Sequence, residues 1–108
     1  MSNTTGRPFD EDTLIAQIGM MNVLTISGGR VEVVKKKGET VEVILPVSNG
    51  YQVSISLGWN DLYTVSRQYV RSGLVSDKGT LADVFCDYVG EIAYQASCFR
   101  NVKFPSSE

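Results

Sequence analysis

Histidine is absent from all 108 residues. Its absence removes the commonest general base, the Ser/His and Cys/His nucleophile pairs and most zinc sites. Two cysteines, Cys86 and Cys98, cannot make a four-thiolate site, and no G-x-x-x-x-G-K-[ST] phosphate loop occurs. Gly28-Gly29 lacks the strand–loop–helix context of a nucleotide site. The sequence therefore offers no recognisable catalytic constellation, metal ligand set or cofactor site; a non-enzymatic protein is expected, with a carboxylate-only enzyme as the formal alternative.

Four groups of side chains are suited to recognition instead. Asp83, Asp87 and Glu91 recur every four residues, with Tyr94 beside them. On one helix they would share the face opposite the apolar stripe and present three acceptors next to an aromatic anchor, a surface for a basic partner. The alternative is a solvated helix face. Asp83 and Glu91 would stand about 12 Å apart along the axis, too far for one metal ion. Tyr63, Arg67, Tyr69 and Arg71 alternate on one side of a strand and could stack on bases. They share parity with apolar Val65, so core-rim tyrosines and snorkelling arginines are the simpler expectation. Lys35-Lys36-Lys37 falls at a hairpin tip, where lysines discourage edge pairing or could contact phosphate. Trp59, in a turn, is expected to pack over a core edge, with an exposed interface anchor as the alternative.

The elements that must position these groups follow from periodicity. Residues 1–8 form a flexible lead-in, 9–104 a single domain and 105–108 a loose tail. Asp10 caps a helix over about 10–20, with Phe9 and Leu14 at staple spacing and Leu14, Ile15, Ile18 and Met21 on one face. From residue 22 the period becomes two. Val23–Ser27 reads as a strand, Gly28-Gly29 as a two-residue hairpin turn and Arg30–Lys35 as the returning strand. A three-residue turn, Lys36-Lys37-Gly38, would pair 35 with 39 and set Val31 and Val33 opposite Val43 and Val41. Pro46–Gly50 turns the chain again. Tyr51–Leu57 and Leu62–Arg71 alternate around the Gly58–Asp61 turn, and Leu74–Ser76 adds a short edge strand.

Leu81, Val84, Phe85, Tyr88, Val89, Ile92, Ala93, Ala96 and Phe99 recur at helical spacing, predicting one five-turn helix opened by Thr80 and Asp83 and closed near Arg100. Gly90 falls off the stripe and should cost about 1 kcal/mol relative to alanine. The expected fold is α+β: an N-terminal helix, an antiparallel meander sheet of five to six strands and a C-terminal helix. Both helices lie on the sheet face that carries Leu24, Ile26, Val31, Val33, Val41, Val43, Leu45, Val53, Ile55, Leu57 and Val65. Thr40, Gln52, Ser54, Ser56, Thr64, Ser66 and Gln68 occupy the other face.

Composition bounds the partners. Ten basic and twelve acidic residues give a net charge of -2, against a protein held to nucleic acid or an anionic membrane by bulk charge. Cys86 and Cys98, on one helix, would lie about 18 Å apart. A disulfide needs Cα atoms within about 7 Å, so free thiols in a reducing compartment are expected. The opening residues hold no apolar signal-peptide core, which points to the cytoplasm.

Asn22–Arg30 (NVLTISGGR), Leu45–Tyr51 (LPVSNGY), Asp61–Val65 (DLYTV) and Gly90–Arg100 (GEIAYQASCFR) together resemble a family of short uncharacterised actinobacteriophage (mycobacteriophage-type) proteins of unknown function. The resemblance covers the chain from residue 22 onward and brings no functional residues with it. It implies a phage protein in the cytoplasm of a bacterial host. The expected function is an accessory protein-interaction module acting on a host protein, with self-association as a further possibility, through Asp83, Asp87, Glu91 and Tyr94. The alternatives are a nucleic-acid-associated accessory protein using Arg67, Tyr69, Arg71 and the lysine turn, and a minor virion component.

Overall fold

The computed structural model describes residues 8–58 and 60–98. It is an α+β fold with all its helices on one face of a five-stranded antiparallel meander. Most of the lead-in, Trp59, Phe99, Arg100 and the tail lie outside the described residues.

Helix α1 (Glu11–Ile18) starts where expected. The Asp10 carboxylate accepts from the Asp12 amide and the Thr13 hydroxyl, and Leu14 and Ile18 are buried. Gly19, at φ 94°, ends it and passes directly into a second helix, α2 (Met20–Ser27). This segment reads as a strand by sequence, and the structure corrects that. Its buried residues are Val23, Ile26 and Ser27, a helical i, i+3, i+4 set, while Leu24 is half exposed at 49%. Gly28 is no hairpin turn either. Its left-handed backbone (φ 68°) closes α2, with its amide on the Leu24 carbonyl and the Gly29 amide reaching that of Val23.

The sheet begins with β1 (Glu32–Lys36) and β2 (Glu39–Pro46). Their turn has two residues, Lys37-Gly38, both left-handed, so the three-residue turn and its 35–39 pairing do not form. A bulge makes up the difference. Val34 pairs with Glu42 but Lys35 with Thr40, leaving Val41 as the extra residue and bringing Val33 opposite Val43. The bulge also exchanges two faces. Thr40, expected on the solvent side, is buried, and Val41 is half-buried.

Strands β3 (Tyr51–Leu57) and β4 (Tyr63–Arg71) pair in unbroken register, Val53 with Arg67 and Ile55 with Val65. Val43, Leu45, Val53, Ile55 and Val65 form the sheet side of the core beneath Leu14, Ile18, Val23, Ile26, Val89, Ala93 and Ala96. On the far side Gln52 donates to Gln68, Ser66 bonds Thr80, and Ser54 donates to Glu42.

Strand β5 (Leu74–Val84) is eleven residues long, not a three-residue edge, and the last helix, α3 (Val89–Ser97), is correspondingly short. The first residues of the predicted five-turn helix, Thr80–Val84, are thus strand, and Phe85–Tyr88 is a turn. Tyr63 pairs with Val84 and Val65 with Leu81, so a bulge at Ala82-Asp83 puts Leu81 and Val84, three residues apart, on the same side. That spacing imitates a helix. Asp83, at φ 61°, accepts from the Asn60 side chain rather than capping a helix.

Gly90 is buried where α3 crosses the end of α1. A Cβ there would lie 2.4 Å from the Ile18 carbonyl oxygen. The glycine permits that approach.

Candidate functional site

Val84 is the last buried residue of β5, and Val89 the first of α3. Between them Phe85–Tyr88 makes a tight turn closed by the Tyr88 amide on the Phe85 carbonyl (2.9 Å). Nothing covers this turn among the described residues, and Phe85 and Tyr88 are 59% and 58% exposed. With Leu81, Ala82, Asp83, Val84 and Ile92 they line an open cleft of about 220 Å3 between the end of β5 and the start of α3. Its floor is apolar and anchored in the core, since Val84 is buried and Leu81 and Ile92 pack against the core cluster. Exposed aromatic area beside a preformed apolar hollow is the usual anchor of a protein interface.

The four residues singled out by sequence do not share one helix face. Asp83 belongs to β5 and lines the cleft, and Asp87 sits in the turn between the two exposed rings. Glu91 opens α3 and Tyr94 follows one turn later, 42% exposed and outside the cleft lining. The i, i+4, i+8 series therefore fails as a helical face, because the chain is strand, then turn, then helix across it. What survives is Asp83 in the lining of an aromatic cleft, with Asp87 in its turn and Glu91 in the first turn of α3. Phe85 and Tyr88, assigned to the core stripe by periodicity, are the residues sequence reasoning missed. The one signal against that assignment was Gly90, a poor helix interior residue where a helix start needs close packing.

The alternating set on β4 is divided by the structure. Tyr63 is buried, its hydroxyl donating to Gln17 (2.7 Å), and burial pushes its phenol upward. Arg67 is buried too. Its Nε donates to the Ala96 carbonyl (2.7 Å) and its Nη2 to that of Gln95 (3.1 Å), so the guanidinium caps the negative end of α3. Burial lowers its pKa from the ordinary arginine value. Tyr69 packs its ring on Tyr51, with centroids 5.0 Å apart, and Arg71 is exposed. Lys35, Lys36 and Lys37 are exposed at the β1–β2 tip. Cys86, in the exposed turn, and Cys98, at the end of α3, are both free, and they do not share a helix.

No described group of three or more Cys, Asp or Glu side chains could hold a metal ion. No helix among the described residues is long and apolar enough to cross a membrane. No protein family, curated protein or solved structure matches the chain.

Proposed function

We propose that this chain is a small, non-enzymatic protein-interaction module that engages its partner through the Phe85–Tyr88 cleft. The observation that carries the reading is the exposure of both rings over an apolar floor built from core residues. A solvated turn has no use for two large rings more than half in water, whereas an interface anchor does. Asp83 in the lining, Asp87 between the rings and Glu91 just beyond define the partner's chemistry. It is a segment with one large apolar side chain for the cleft and Lys or Arg beside it. The resemblance to short actinobacteriophage proteins supports a partner from the bacterial host.

The test is affinity capture from actinobacterial lysate treated with nuclease, comparing the parent with Phe85→Ala/Tyr88→Ala and Asp87→Lys/Glu91→Lys. Both pairs are exposed, so circular dichroism should show the fold unchanged. A partner held by the parent should be lost from the aromatic pair and strongly weakened for the charge-reversed pair. A partner retained equally by the aromatic pair would overturn this reading.

A further inference from the structure

The other end of β5 holds a second open cleft, of about 450 Å3, lined by Tyr69, Arg71, Ser72, Leu74, Ser76 and Lys78. It lies further along β4 than Arg67, which meets the last turn of α3, so no helix among the described residues covers it. Its chemistry is one-sided. Arg71 offers a fork of five N–H donors, Lys78 three, and Ser72, Ser76 and Tyr69 bring hydroxyls, while no carboxylate is in the lining.

Two features bear on what these cations can bind. Among the described residues neither the Arg71 guanidinium nor the Lys78 ammonium has a hydrogen-bond or ion-pair partner, in a chain whose net charge is -2. Lys78 is also the extra residue of a bulge, since Gln68 pairs with Asp77 and Arg67 with Gly79. The bulge is held by the Asp77 carboxylate, which accepts from the Gly79 amide (2.9 Å) and the Thr80 hydroxyl (2.6 Å). Lys78 therefore has no residue opposite it on β4, and bulges of this kind commonly aim a side chain at a site.

We propose that this cleft binds a phosphate monoester, its oxygens held between Arg71 and Lys78 and its organic part against Leu74 and Tyr69. A dianion suits two cations and three hydroxyl donors. A nucleic-acid strand suits them less. Two cations release the counterions of about two phosphates, a salt slope near −1.4 for a single strand, and the chain's net charge opposes a polyanion.

The test is a titration of the labelled protein with phenyl phosphate at neutral pH, followed by amide chemical shifts. Saturable shifts confined to residues 69–78 are expected, and inorganic phosphate should move the same amides with weaker affinity. Arg71→Gln and Lys78→Gln should each weaken phenyl phosphate about tenfold, the loss of one charge-assisted hydrogen bond. Shifts that do not saturate, or that both variants reproduce unchanged, would overturn the proposal. Tighter binding of oligothymidylate than of phenyl phosphate would overturn it in favour of a strand-binding surface. Phe85 and Tyr88 lie at the other end of β5, so this outcome is independent of the partner-capture experiment.

Discussion

At Gly90 the absence of a side chain brings α3 against the end of α1. The Ile18 carbonyl at that point already accepts from the Asn22 side chain (2.8 Å), and a Cβ on residue 90 would lie 2.4 Å from the same oxygen. The obstacle is backbone, which cannot rotate aside as a side chain could. Helix propensity alone would make Gly90→Ala stabilising by about 1 kcal/mol. The packing predicts the opposite sign, a loss of about 1–3 kcal/mol, from overpacking. Urea denaturation of the two proteins measures this, and an alanine variant as stable as the parent would show that α1 and α3 separate easily.

The decisive element is α2. The run Val23-Leu24-Thr25-Ile26, three of whose residues are β-branched, has strand propensity, yet the segment folds as a helix because its Val23/Ile26/Ser27 side closes the core beside α3. The two conformations assign adjacent residues differently. As a strand with Leu24 and Ile26 inward, Leu24 would be core and Val23 exposed; as α2, Val23 is 1% exposed and Leu24 49%. Val23→Asp should therefore destabilise by about 3–5 kcal/mol, burying an unpaired charge, whereas Leu24→Asp should cost under about 1 kcal/mol. Denaturation midpoints for the pair decide it, and the reverse order would restore the strand.

Across the whole molecule, polar contacts tie the N-terminal helix to the sheet. The Thr40 hydroxyl donates to Glu11 (2.5 Å), the Phe9 amide to the Thr40 carbonyl (3.0 Å), and Phe9 meets Tyr63 edge to face. The Thr40 hydrogen bond, then the bond from the Glu11 backbone amide, holds the Glu11 carboxyl below the ordinary carboxylate range. A carboxyl lowered by folding stabilises the protein above its unfolded value and loses that contribution as pH falls through the lowered one. The parent should therefore lose stability on acidification below about pH 4.3, the ordinary Glu value, more steeply than Thr40→Val or Glu11→Gln. Urea midpoints measured down this range check it, and parallel curves for all three proteins would show that the contact does not couple helix to sheet.

The sequence by itself determined what depends on neighbours in the chain. The Asp10 cap, the alternation of β3 and β4, and the turns that carry the left-handed pairs Asn49-Gly50 and Ser72-Gly73 are local, and so is the lack of histidine chemistry. The α+β class and the meander followed from these. Tertiary structure decided the rest because burial is not local. A bulge at Val41 sent Thr40 inward, and one at Ala82-Asp83 turned a spacing of three into a strand and delayed the start of the expected helix to Val89. The same event freed Phe85 and Tyr88 from an apparent core stripe and placed them in an open turn, while Arg67 was drawn inward to cap α3. Periodicity records which residues are apolar; only the packed sheet and helices establish which of them remain in contact with water.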